Sequence, residues 1–223
     1  MKKTLRFLPL LALFAATGLQ AQQWNIGGGV GAFTFGNFSE RTERIGTEDG
    51  SASTTIKLSA KTRPGVTVDI GRDFSDSFGM RLQGTWVDAP IAVKNGGGDG
   101  IELEGNKVDV TTLSVPFVWT INPRGSFRFH LLAGPAYAMY HLKRAGGSPV
   151  TGQAIFTGTR NRVGAIGGAG VDWWWSSRFA VEGEISDILT SSPIERSDYQ
   201  GLRGVDIPRP HNVHTTVGLR YRF

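Results

Sequence analysis

The stretch Val213-His214-Thr215-Thr216-Val217-Gly218-Leu219-Arg220-Tyr221-Arg222-Phe223 ends the chain, and its reading decides the fold. Counting back from Phe223, every second residue (Tyr221, Leu219, Val217, Thr215, Val213) is apolar or tolerates lipid. The residues between them, Arg222, Arg220, Gly218, Thr216 and His214, are charged, polar or small. A β-strand points successive side chains to opposite faces, so this segment is a ribbon with one oily side and one wet side.

The opposite end carries the marks of secretion. Lys2, Lys3 and Arg6 precede the short apolar run Phe7–Ala16, and small and polar residues lead to a cut expected after Ala21. Residues 1–21 are thus read as a signal peptide and 22–223 as a single barrel domain. The apolar run is well short of the ~20 residues a spanning helix needs. Cysteine is absent, which removes a disulfide framework and a lipid-modified amino-terminal Cys. Of the 24 Lys and Arg the leader holds three, leaving 21 bases against 19 acids, a formal charge of +2. That balance is too small and dispersed for a nucleic-acid partner. After the leader no apolar run is long enough for a helical span, so a membrane location requires closed strands.

Alternation and turn residues predict eight strands, near residues 24–36, 62–72, 78–88, 106–121, 126–141, 162–173, 178–188 and 211–223. Val66, Val68 and Ile70 share one face; so do Phe78, Met80, Leu82 and Trp86, and so do Leu113, Val115, Phe117 and Trp119. Val108 and Val110 fall out of phase with the last set, which predicts a bulge near Thr111–Thr112. Short turns (73–77, 122–125, 174–177) alternate with long segments (37–61, 89–105, 142–161, 189–210) rich in Gly, Ser, Pro or charge. Short turns on one rim and long loops on the other make an all-β, eight-stranded antiparallel up-and-down transmembrane barrel, with short periplasmic turns and long external loops. An even strand count puts both termini on the periplasmic side. Trp24, Phe78, Trp119, Phe127, Phe129, Trp173, Phe179, Tyr221 and Phe223 gather toward that rim as an interfacial girdle. Phe33, Phe35, Trp86, Tyr137 and Tyr140 are candidates for the opposite girdle.

With its leader, its eight alternating segments and the ending Val217-x-Leu219-x-Tyr221-x-Phe223, the sequence resembles the small OmpA/OmpX-type outer-membrane barrels and their opacity-protein-like relatives. The resemblance covers the whole mature chain as a pattern. It implies that Val217, Leu219, Tyr221 and Phe223 form the signal read by the barrel assembly machinery. It also implies contact with outer-membrane lipid and lipopolysaccharide. The carboxy-terminal peptidoglycan-binding domain of the OmpA type is lacking, so no cell-wall tether is expected.

Alternation alone fits equally a soluble, lipocalin-like barrel turned inside out. The ending at Phe223, the one-sided aromatics and the four long loops favour the membrane version. Its polar face then points into a narrow bore, where Arg81, Arg128, Arg178, Glu182, Glu184, Arg220 and Arg222 are expected to form a charge network, with Asp69 and Asp109 as further candidates. Both signs are needed, because an unpaired buried charge costs several kcal/mol or more. Gly27, Gly29, Gly31, Gly164, Gly168 and Gly170 would make room for these side chains.

Enzyme-like patterns have simpler explanations. Some outer-membrane barrels deacylate lipid A with a His, a Ser two residues on and a Glu. Here His130, His141 and His211 are followed at that spacing by Leu132, Lys143 and Val213, and His214 by Thr216 on the lumen face. Glu182 and Glu184, flanked by arginines, read as a salt-bridged plug. Gly96–Gly100 lacks the spaced acidic ligands of a calcium loop and reads as a loop tip, and Trp173-Trp174-Trp175 reads as interfacial anchoring. No catalytic, cofactor or metal residue is assigned. The expected function is non-enzymatic: membrane integrity or interaction with an extracellular surface ligand through the long loops. A narrow porin-like channel and a periplasmic lipocalin-like carrier are the alternatives.

Overall fold

The computed structural model describes residues 23–47, 50–95, 101–144, 158–195, 198 and 204–223. The leader and the Gly96–Gly100 tip lie outside them. Twelve strands form one antiparallel sheet among these residues. In chain order they are β1 (Gln23–Phe35), β2 (Asn37–Thr47), β3 (Gly50–Ala60), β4 (Arg63–Asp73), β5 (Phe78–Asn95), β6 (Ile101–Ser114), β7 (Phe117–Thr120), β8 (Phe127–Arg144), β9 (Gly158–Trp174), β10 (Phe179–Thr190), β11 (Val205–Asp206) and β12 (His211–Arg222).

The sheet closes on itself. β1 pairs with β12 from Asn25↔Arg222 to Phe35↔Asn212, and neighbour-to-neighbour pairing carries the ring through β4, β5, β6 with β7, β8, β9 and β10 back to β12. β6 and β7 count as one strand, because the two residues between them leave the register intact. Ser114 and Phe117 pair with Ala136 and Ala133 on one side and with Gln83 and Met80 on the other. The ring therefore has the eight strands expected.

Two expectations about the chain's path are corrected. Residues 37–61 are a hairpin, not an open loop: β2 and β3 pair from Ser39↔Leu58 to Thr47↔Gly50 and prolong β1 and β4 beyond the ring. Their sequences, NFSERTERIGT and GSASTTIKLSA, alternate only in part, and the apolar Phe38, Leu58 and Ala60 turn to the buried cluster of the bore. There is also no bulge near Thr111–Thr112, since both residues stay in register with Trp86 and Thr85 and with Met139 and Ala138. Val108 and Val110 are out of phase because they point into the bore, where both are buried.

The facing of the walls decides between the two barrel types. Val30, Val66, Val68, Leu82, Leu113, Ile185, Val217 and Leu219 stand out from the outer surface, while Asp69, Arg81, Glu182, Glu184 and Arg220 are buried within. An apolar band of that extent far exceeds the patches a water-soluble monomer tolerates, and it is the reverse of a lipocalin's arrangement. At the turn rim the outward rings touch in sequence. Phe127 stacks on Trp173 (6.2 Å), Trp173 meets Trp175 (6.3 Å), Trp175 stacks on Phe179 (6.0 Å), Phe179 meets Tyr221 (5.0 Å), and Tyr221 stacks on Phe223 (6.1 Å). Trp24, Phe78 and Trp119 also face outward, Phe78 stacking on Phe117. At the loop rim Trp86 and Tyr137 face outward as expected, but Phe33, Phe35 and Tyr140 are buried in the bore.

Val217 lies midway along β12 and is 60% exposed on the outer wall. Val217→Arg is expected to cost about 2–4 kcal/mol at the bilayer midplane, read as a lower urea midpoint for the barrel folded into lipid vesicles. An unchanged midpoint contradicts the facing.

Candidate functional site

The bore is filled in layers, and the layer nearest the turn rim is built on an indole. Trp174 points inward, where strand alternation puts it between the outward Trp173 and Trp175, so only those two fit the expected interfacial role. The Arg222 and Arg128 guanidinium carbons lie 4.1 and 4.8 Å from its ring centroid, and such contacts contribute about 0.5–2 kcal/mol as desolvation increases. Arg222 also donates to Asp73 Oδ2 (3.4 Å), and Arg128 Nε donates to the Gly125 carbonyl (3.1 Å).

Above it sits a network joining six strands. From β12, Arg220 donates to Asn25 Oδ1 on β1 (2.6 Å), to Asp69 Oδ1 on β4 (2.9 Å) and to Glu182 Oε2 on β10 (2.5 Å). From β5, Arg81 donates to Glu182 Oε1 (2.6 Å) and Glu184 Oε2 (3.2 Å). Gln83 donates to Glu184 Oε1 (3.3 Å) and accepts from Ser114 (3.2 Å). Glu182 is the hub, with one oxygen for each arginine. The Arg220 and Arg81 side chains are only 2% and 8% exposed. Charges so removed from water are tolerable only when each is answered at close range. Gly27 and Gly170 make the packing possible, because a Cβ at either would collide with Asp69 or with the His130 ring.

His130, on β8, completes the layer. Its ring nitrogens lie 3.6 Å from Asp172, 3.5 Å from Glu182 and 3.7 Å from Glu184. His130, Glu182 and Glu184 offer ligand atoms within 4.8 Å of one another, a spacing a metal ion could use. Arg81 Nη1 already bonds to the Glu182 and Glu184 oxygens that face His130 Nε2, so a guanidinium holds the cation position there.

Toward the loop rim the bore turns apolar. Thr85 and Thr112 share a hydroxyl contact, Asn212 donates to Tyr140 Oη (2.8 Å), and Tyr140 meets Thr190 (2.9 Å). Beyond them Phe33, Phe35, Phe38, Val87, Ile91, Val108, Val110 and Leu142 form one buried cluster. A strap of irregular chain after β10 caps it. Ile194 is buried in the cluster, Ser192 Oγ donates to the Phe38 carbonyl (2.6 Å), and Arg162 on β9 donates to the Ser192 carbonyl (2.6 Å) and to Glu195 (2.8 Å). Arg160 holds Asp198 beside it (2.9 Å).

Of the residues expected in the charge network, the structure brings together Arg81, Glu182, Glu184 and Arg220, with Asp69 joining them. Arg128 and Arg222 belong to the Trp174 layer. Arg178 is a correction: it has the inward phase but lies in the turn before β10, past the end of the bore, and is exposed. Asp109 is another; between the inward Val108 and Val110, it faces outward and pairs with Lys143. Among the named glycines, Gly29, Gly31, Gly164 and Gly168 pack against neighbouring backbone rather than against the charged side chains. Sequence reasoning missed Asn25, Gln83, His130 and Asp172 as network members, although each has the inward phase of its strand. It also missed the strap, which carries no periodic signal. His214 is buried with its ring 4.3 Å from that of Phe33, and Thr216 shares its inward face. Neither faces lipid.

The model of the outer membrane protein beta-barrel domain matches residues 6–223. Among solved structures, the chain is similar to the outer membrane protein OprG from Pseudomonas aeruginosa, with 13% identity, a TM-score of 0.64, and 93% of this chain and 98% of that one covered. It is also similar to the outer membrane protein AlkL, with 10% identity, a TM-score of 0.50 and 93% of each chain covered. At such identities the likeness is one of fold. No curated protein sequence matches.

Arg81→Met leaves Glu182 and Glu184 short of a partner and is expected to cost about 3–5 kcal/mol. Arg178→Ala, at an exposed turn, should stay within about 0.5 kcal/mol. Chemical unfolding in lipid vesicles checks both, and equal losses would contradict the placement.

Proposed function

Because the chain belongs to the outer membrane protein beta-barrel domain family, we propose that it is a non-enzymatic, non-conducting barrel of the outer membrane that acts at its loop rim, in membrane integrity or contact with an extracellular surface ligand. The observation that carries this reading is the twice-closed bore. The ionic layer around Glu182 blocks it below, and the apolar cluster under the Ser192–Ile194 strap blocks it above. A wet path would need both layers displaced, which argues against the narrow channel. Among the described residues, the β2–β3 hairpin, which rises past the ring and is joined at its edge by β11, is offered for interaction.

Residues 1–21 are the export signal. Gln23 and Phe223 lie at the turn rim, which we assign to the periplasmic side. The outward Val217, Leu219, Tyr221 and Phe223 on the seam strand form the stripe read by the barrel assembly machinery, and lipopolysaccharide surrounds the loop rim.

One observation favours a second reading. The upper bore is apolar although only the strap covers it at the loop rim, a lining suited to a small apolar molecule admitted when the strap moves.

Planar-bilayer recording separates the first reading from a channel: the intact barrel is expected to give no conductance steps, and steps at moderate voltage overturn the closed-bore reading. Methyl NMR of Ile91, Val108, Val110 and Ile194 in nanodiscs, titrated with naphthalene, tests the second, with saturable shifts expected only if the upper bore takes up the molecule.

A further inference from the structure

We infer that His130 carries a proton on both ring nitrogens and serves as the fifth cation of the bore, so that the plug binds one proton as an integral part of its charge network. The ring is fully enclosed, and neither nitrogen has a hydrogen-bond partner of ordinary length among the described residues. What each nitrogen faces is a carboxylate. Nδ1 looks at Asp172 on β9 (3.6 Å), and Nε2 looks at Glu182 (3.5 Å) and Glu184 (3.7 Å) on β10. A neutral imidazole has one bare lone pair, and whichever tautomer is chosen, that lone pair is aimed at a carboxylate oxygen. Only the imidazolium presents N–H to both sides.

The charge count gives an independent reason. The inner wall of the lower bore holds four guanidinium groups (Arg81, Arg128, Arg220, Arg222) against five carboxylates (Asp69, Asp73, Asp172, Glu182, Glu184). A proton on His130 balances the set. The groups facing the ring are Arg81 from β5, Asp172 from β9 and Glu182 and Glu184 from β10, with Asp69 on β4 and Arg220 on β12 one contact further through Glu182. Arg81 is the single repulsive neighbour, and it is engaged by both glutamates. His214, the other histidine of the inner wall, packs on Phe33 outside this layer. Gly170 leaves the ring its place against β9.

The bound proton makes the plug responsive to pH. Stabilisation belongs to the charged ring, so it is present while His130 is protonated and is lost as the pH rises and the ring gives its proton up, leaving three carboxylates facing one another. The direct test is ¹⁵N NMR of the histidine-labelled barrel in lipid at neutral pH. A one-bond proton coupling is expected on both His130 nitrogens; a nitrogen without one overturns the inference. The second test uses His130→Gln alone and combined with Asp172→Asn. The single change should lower the unfolding midpoint and abolish the wild-type fall in midpoint as the pH is raised. Removing Asp172's charge as well should recover part of the loss, since the count then balances again. An additive loss in the double variant, or the same pH profile in the wild type and His130→Gln, counts against it. Should His130→Gln not fold, the NMR measurement on the unaltered protein still decides.

Discussion

Hydrocarbon offers no partner for a backbone N–H or C=O, and this constraint shapes the rest of the molecule. A sheet crossing a membrane must have no free edge, so the first and last strands of the ring meet along β1 and β12 from Asn25 to Phe35. The requirement also explains where regular structure ends. β10 and β12 stop at Thr190 and His211, and the strap that follows is irregular but turned inward, its polar groups met by Arg162 and the Phe38 carbonyl. β1 and β4 instead continue into the β2–β3 hairpin, which leaves the ring and satisfies its backbone with β5 and β11.

Closing eight strands leaves a bore with room for side chains alone, and the two halves of the bore are filled by different physics. Near the turn rim the filling is ionic. Six strands each supply a member of a network in which Glu182 answers both Arg81 and Arg220, because charges held away from water need partners at bonding distance. Near the loop rim the filling is apolar, aromatic and aliphatic side chains packing under the strap. A band of hydroxyl and amide groups (Thr85, Thr112, Tyr140, Thr190, Asn212) separates the two. The bore is thereby a two-part core, which is why the reading of function turns to the loop rim.

The strand limits at the turn rim and the sharing of faces were legible from alternation because hydrocarbon outside and charge inside give the pattern its contrast, whereas β5 runs on to Asn95 and β6 starts at Ile101, within the segment 89–105 read as a loop. Where the bore becomes apolar that contrast vanishes. Phe33, Phe35 and Tyr140 looked like a second girdle, and Val108 and Val110 looked like the mark of a bulge, because oily residues on the inner wall cannot be told by type from those on the outer wall. Trp174 was misplaced for the same reason, lying between two tryptophans that face lipid. Arg178 shows another limit: phase tells which side a residue takes, not whether the bore still extends to its level. His130 and Asp172 were readable as inward but not as partners, since register across β8, β9 and β10 depends on how the strands align.

By itself the sequence determined that this chain is built of amphipathic strands, which residues share each face and where most turns fall. These are local consequences of a two-residue repeat in an apolar solvent. Tertiary structure alone decided which charges answer which, that Arg81 rather than Arg178 stands beside Glu182, and that the upper bore is an apolar core under a strap. Those facts depend on the shear between strands far apart in sequence, and no local repeat encodes the level at which opposite walls of a barrel meet.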